Sequence, residues 1–257
     1  MKKALFVLLV LTLALSIHAS ALPEVIAESP VEIQSLAFFA SVAISVPDES
    51  AHIEVSGVYW SEPFRLKGMV TLHDDSWSQN ANFYGEVTEQ EQVLYIEMDD
   101  AWYKSASAYD GSSAPLDSEM MRVYESAFED SILDSKEEPW PEPIQGKEVS
   151  KQTITVDILS LLDAFDVLQA FEAAAPSLAR ARQQQELPPI RCSIYTEAVT
   201  GDFVRFEMDM SAFVSTVTKY REESMPYTGI YLVVDVWDIN AVPEFDIPDE
   251  VRAAISM

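Results

Sequence analysis

The residues of this chain that could carry chemistry are two histidines, one cysteine and a large excess of carboxylates. His52 and His73 are the histidines beyond the first twenty residues. Both fall in segments of alternating polarity, on the side that carries polar residues. Imidazoles can ligate a metal or move a proton at neutral pH, but a metal centre needs carboxylates folded up beside them. Nothing in the spacing requires that, so they read as surface histidines. Asp74-Asp75 and Asp99-Asp100 could offer oxygens to Ca²⁺, yet neither stands in the D-x-D-x-D-G pattern of a calcium loop. They read as turn residues. Cys192 lies in the alternation Ile190, Cys192, Ile194, which makes it a small buried hydrophobe rather than a nucleophile. With 43 Asp and Glu residues, some pair always matches a glycosidase spacing, so abundance empties that signal. No G-x-S-x-G, P-loop, G-x-G-x-x-G or H-E-x-x-H string occurs, and seven glycines leave little for phosphate cradles. No catalytic residue, metal ligand or cofactor is assigned, and the chain is expected not to be an enzyme.

The charge excludes further classes. The 257 residues carry a formal charge of −27, and loss of Lys2 and Lys3 would take this to −29. Such an excess repels phosphate backbones and anionic headgroups, which argues against nucleic-acid binding. Its residues are spread along the whole chain, as on a solvated, aggregation-resistant surface. Lys2 and Lys3, the apolar run ALFVLLVLTLALSI and the small residues Ala19-Ser20-Ala21 have the layout of a secretory signal peptide. The run is shorter than the ~20 residues of a membrane span. Cleavage is expected after Ala21. No cysteine follows the run, so the product is expected to be unlipidated, without a stable membrane anchor, and secreted or periplasmic. Residues 22–35 read as a leader or linker and 36–257 as one domain.

The elements that would position a site begin at Leu36. Leu36, Phe38, Ala40, Val42, Ile44 and Val46 share one face of an unbroken period-2 run. His52–Trp60, Phe64–His73, Trp77–Val87, Gln92–Met98 and Ala101–Ser105 continue as a meander with short polar turns. From Asp117 or Ser118 the spacing of Met121, Tyr124, Phe128 and Ile132 predicts an amphipathic helix. Glu137–Gly146, with three prolines around Trp140, reads as an extended connector or lid. Thr153–Val156 suits a strand, and a helix from Ile158 puts Leu161, Phe165 and Leu168 on one side. Pro176 should kink or end it, with a second helical piece over Ser177–Gln185. Ile190–Ala198 and Phe203–Phe213 flank the turn Val199-Thr200-Gly201-Asp202. A charged connector, Lys219–Pro226, then leads to a long strand over Thr228–Asn240. The fold class is α+β: a curved antiparallel sheet of about 9–11 strands, an unclosed half barrel, with two or more helices on its concave face.

The strand QVLYIEMD, its turn and AWYK resemble a recurring element of exported LolA-like proteins, which include lipoprotein and LppX-type lipid carriers. GKEVSKQTITVDILSLLDAF and the closing FDIPDEV resemble the Gram-positive branch, whose role is unknown. The resemblance spans most of Leu36–Val251, though no single motif in it is specific. It implies helices seated in a half barrel, with an apolar cavity for acyl chains in many members. Of the helix usual there ahead of the first strand, at best one turn is legible here, in Ser29-Pro30-Val31-Glu32, and the lipidated Cys of many Gram-positive members is absent.

Taken together, a lipid or other hydrophobic small molecule is the expected ligand. It would be lined by Phe38, Val42, Ile44, Phe64, Leu66, Leu94 and Ile96 from the sheet, and by Tyr124, Phe128, Leu161 and Phe165 from the helices. The alternative is an extracytoplasmic scaffold with a solid core. An exposed strand face or the Trp140 loop would then meet an exported protein partner.

Overall fold

The computed structural model describes residues 33–46, 49–74, 76–88, 90–108, 129–164, 176–184, 187–220 and 229–256. The proposed signal peptide and most of the leader lie outside these residues.

Alternation sets the first six strands, as the sequence predicts. They are β1 (Ser35–Val46), β2 (Glu49–Trp60), β3 (Arg65–Asp74), β4 (Ser78–Val87), β5 (Glu91–Met98) and β6 (Ala101–Ala108), each antiparallel to the next. Their turns follow local chemistry. Asp74 Oδ1 accepts from the Ser76 and Trp77 amides at 2.7 and 3.0 Å, closing the β3–β4 turn. Asp99 and Asp100 both take left-handed φ values, 51° and 61°, which a two-residue hairpin turn with the twist of its strands requires.

After β6 come β7 (Ile132–Pro139), β8 (Val149–Val156), α1 (Ile158–Ala164), α2 (Pro176–Gln183), β9 (Ile190–Glu197) and β10 (Phe203–Asp209). Then follow α3 (Ser211–Thr218), β11 (Gly229–Trp237), α4 (Asp249–Arg252) and β12 (Ile255–Ser256). All twelve strands form a single sheet in the order β12-β6-β5-β4-β3-β2-β1-β11-β10-β9-β8-β7. It is curved and does not close. Every pairing is antiparallel except β12 on β6.

Three segments differ from the sequence expectation. Ile132 opens β7 instead of ending a helical stripe, and Glu137, Glu138 and Pro139, in what reads as a connector, belong to this edge strand. Its charges and terminal proline suit an edge that must not pair further. The strand from Phe203 stops at Asp209, whose Oδ1 accepts from the Ser211 amide at 2.9 Å and starts α3. A helix therefore occupies Ser211–Phe213, where alternation predicts strand. Beyond β11 the chain is a strap. Ile247, Val251 and Ala254 are buried on the convex side against Val93 and Tyr95, and β12 then caps part of β6. Polar contacts also hold the strap: Arg65 Nη1 donates to the Phe245 carbonyl at 2.6 Å, and Arg252 Nη2 to Glu86 and Asp246 at 3.2 and 3.1 Å.

Candidate functional site

Strand register brings the concave residues into rows. One row runs Val236, Phe38, Gly57, Gly68, Phe83, Ile96 across β11, β1, β2, β3, β4 and β5. The next runs Leu36, Tyr59, Leu66, Gly85, Leu94. The paired glycines have a packing reason. A Cβ on Gly57 would stand 2.5 Å from the Lys67 carbonyl oxygen and 3.0 Å from the Phe38 ring. One on Gly68 would strike the Ser56 carbonyl and stand 2.7 Å from the Phe83 ring. Bare backbone here lets both phenyl rings lie against the sheet, and glycine at such strand positions marks close approach.

Of the seven lining residues predicted on strands, six share this face on β1, β3 and β5, while Phe64 stands in the turn just before β3. Phe38 and Leu66 are 5% and 2% exposed, inside a cluster with Val55, Val70, Phe83, Leu232, Val234 and Val236. Val42, Ile44, Phe64 and Ile96 are half-buried and packed against that cluster. Leu94 is half-buried opposite Gly85 in its row. Tyr124, Phe128 and Phe165 lie outside the described residues, as does the side chain of Leu161, whose backbone belongs to α1. Helices do reach the concave side over the other half of the sheet: Leu178 of α2 and Phe213 of α3 pack with Ile154, Val156, Ile190, Cys192 and Ile194.

The apolar face ends in a groove of about 560 Å³, lined by Gln145, Lys147, Asp202, Phe203, Val236, Trp237, Asp238 and Ile239. Phe203, Val236 and Ile239 belong to the concave cluster, so its floor continues the apolar face. Three loops form its rim, and their backbones turn through left-handed positions at Gln145, Gly146, Gly201 and Asp238. Lys147 Nζ sits 2.7 Å from Glu197 Oε2, a contact that holds the Glu197 carboxyl below its ordinary range. Sequence reasoning missed this groove. The loops were legible as turns, but their convergence depends on β8–β11 lying side by side.

The convex face is ionic and aromatic. Arg205 donates from Nε and Nη2 to both oxygens of Asp235, at 2.6 and 2.9 Å. Tyr195 donates to Glu207 at 2.9 Å. Trp140, in the predicted connector or lid, is half-buried. It packs edge-on against Tyr195 at 5.5 Å, with the Lys151 ammonium 4.4 Å above its ring. Cys192 stands opposite Ile154 and Met208, and burial pushes its thiol up to about 12. His52 and His73 are on the convex face, away from the apolar rows.

No family model matches the chain, and no curated protein matches it. Among solved structures it is similar to the lipoprotein LppX of Mycobacterium tuberculosis, at 12% identity over 91% of this chain and 98% of that one, with a TM-score of 0.46. It is also similar to a DUF1329 family protein of Desulfovibrio piger, at 10% identity over 87% and 89% of the two chains, with a TM-score of 0.23. Likenesses at these scores carry no argument about ligand or activity. The class is defined by the fold itself: an α+β protein on a curved, unclosed antiparallel sheet. Among the described residues no helix is long and apolar enough to cross a membrane.

Proposed function

We propose that this protein is an exported, non-catalytic member of the LolA-like group, in its Gram-positive branch, that binds or carries a lipid or another hydrophobic molecule. Residues 36–257 act as one domain, freed by cleavage after Ala21. The ligand lies between the concave rows and the helices, against Phe38, Val42, Ile44, Phe64, Leu66, Leu94, Ile96, Tyr124, Phe128, Leu161 and Phe165. One observation carries this reading: the groove floor of Phe203, Val236 and Ile239 is continuous with the apolar face. An acyl chain could enter there along Phe203, Val236 and Ile239, past a rim that carries the polar groups of Gln145, Lys147, Asp202 and Asp238, and a groove of this size suits a chain-like ligand.

A second reading has its own observation. Phe38 and Leu66 are already covered by protein, as in a scaffold with a solid core. Solvent extraction of the purified protein followed by mass spectrometry separates the two. Lipid near one equivalent supports carriage. A clean extract, together with no saturable binding of a fluorescent fatty acid, would leave the scaffold reading.

A further inference from the structure

The two histidines beyond the N-terminal stretch are each other's partner. His52 on β2 stands directly opposite His73 on β3. Their rings stack with centroids 4.9 Å apart and planes 7° from parallel. Glu54, two residues along β2 on the same face, brings Oε1 within 3.5 Å of His73 Nε2. Folding thus supplies what the sequence spacing alone did not require: two imidazoles and a carboxylate in one place. The flanking strands leave them accessible. Ala43 lies beside His52, Ser41 beside Glu54, and Ser78 beside His73. The His73 and Glu54 side chains are 33% and 38% exposed.

We propose that His52, His73 and Glu54 form a surface site for a late first-row divalent metal ion, copper(II) ahead of zinc(II). Two neutral nitrogens and one carboxylate suit copper, nickel and zinc, whereas Ca²⁺ and Mg²⁺ take oxygen ligands. Metal–nitrogen bonds of about 2.0–2.1 Å place two ligating nitrogens roughly 3 Å apart. Directly opposed side chains on antiparallel strands start from Cβ atoms ~4.5–5.5 Å apart, which is compatible with that spacing. Among the described residues no three such side chains already stand in ligand geometry. Chelation requires each ring to turn about its Cβ–Cγ bond out of the stack. That torsion is broad for histidine, and the small neighbours do not oppose it. Glu54 then supplies the third ligand from the side where it already meets His73, and solvent completes the sphere. The strongly negative chain raises the local cation concentration. This site is on the face opposite the proposed hydrophobic ligand and does not depend on that reading.

The test uses the protein without a polyhistidine tag, titrated with CuCl₂, ZnCl₂, CaCl₂ and MgCl₂. One equivalent of Cu²⁺ is expected to bind with micromolar affinity. At tenfold excess it should raise Tm by about 5 °C, with a smaller rise for Zn²⁺ and none for Ca²⁺ or Mg²⁺. His52→Gln or His73→Gln should weaken Cu²⁺ binding at least tenfold, and Glu54→Gln several-fold. Affinity should fall in acid, because a metal ion binds only the unprotonated imidazole and must compete with protons for it. On the unsubstituted protein, substoichiometric Cu²⁺ should broaden the ring resonances of His52 and His73 together. Unchanged affinity in either histidine variant, or broadening that spares one of the two rings, overturns the site. So does the absence of saturable Cu²⁺ binding up to about 1 mM, an affinity too weak to be a site.

Discussion

Cys192 shows how burial turns a reactive residue into a packing one. Its place between Ile154 and Met208 in the sheet removes water from the sulfur and raises the thiol from its ordinary 9.0 to about 12. The folded chain therefore keeps a proton that the unfolded chain releases. Stability from this group is complete below pH ~9 and drains as pH rises from there towards 12. Tyr95, pushed to about 12 chiefly by burial, extends the same loss above pH ~10. The denaturant midpoint is expected to fall between pH 8 and pH 10.5. Cys192→Ala should flatten the first part of that fall while costing about 1 kcal/mol at pH 7 for the space vacated. A thiol reagent at pH 8 should label Cys192 only after denaturant is added. Prompt labelling of the native protein would show that water reaches the sulfur. At this scale the alternation of Ile190, Cys192 and Ile194 had already identified a core position. The histidine pair was not legible, because cross-strand register and not sequence separation makes them neighbours.

Strand pairing is where the two concave glycines act. Gly57 and Gly68 are opposite each other, and the rings of Phe38 and Phe83 occupy the space that side chains would need. Gly68→Ala must push back both the Ser56 carbonyl and the Phe83 ring. Its expected cost is about 2–3 kcal/mol by urea unfolding; a change within about 0.5 kcal/mol would mean the sheet yields there without strain. The C-terminal strap provides a second check. Deleting residues 242–257 uncovers Val93 and Tyr95 and removes the Arg252 contact to Glu86. Increased binding of anilinonaphthalene sulfonate and self-association along the β6 edge are expected, measured by fluorescence and light scattering. Alternation made β1–β6 readable, because one face of each strand is apolar and the other polar. It failed at α3, where Ala212, Phe213 and Val214 satisfy either period and Asp209 turns the chain by accepting from the Ser211 amide.

Across the whole molecule, 43 acidic side chains face 16 basic ones. Ion pairs such as Arg205–Asp235 and Lys147–Glu197 cover few of the acids, so repulsion between like charges opposes the compact state at neutral pH. Raising NaCl from 10 mM to 0.5 M at pH 7 is expected to raise Tm, because screening falls from a Debye length of ~30 Å to a few Å. The rise should shrink near the sequence pI of 4.2. A fall in Tm with salt at pH 7, measured by calorimetry, would mean that the ion pairs outweigh the repulsion. On the acid side the sign reverses for particular groups. Asp74, Asp209 and Asp246 are held below their ordinary range, mainly by hydrogen bonds from Ser76, Ser211 and Ile247. Their stabilisation is present above pH ~4 and is lost as pH falls through their folded values.

By itself the sequence determined the strand ladder, its apolar face, the acid excess and the α+β class, because period, turn residues and charge are local properties. Only the tertiary structure decided that the sheet has twelve strands with β1 beside β11, which unites the N-terminal ladder with the C-terminal strands. It also decided that Phe38 and Leu66 are covered while a groove opens beside Val236, and that two distant histidines stack. Each of these depends on which strands neighbour one another and in what register, and no single segment carries that information.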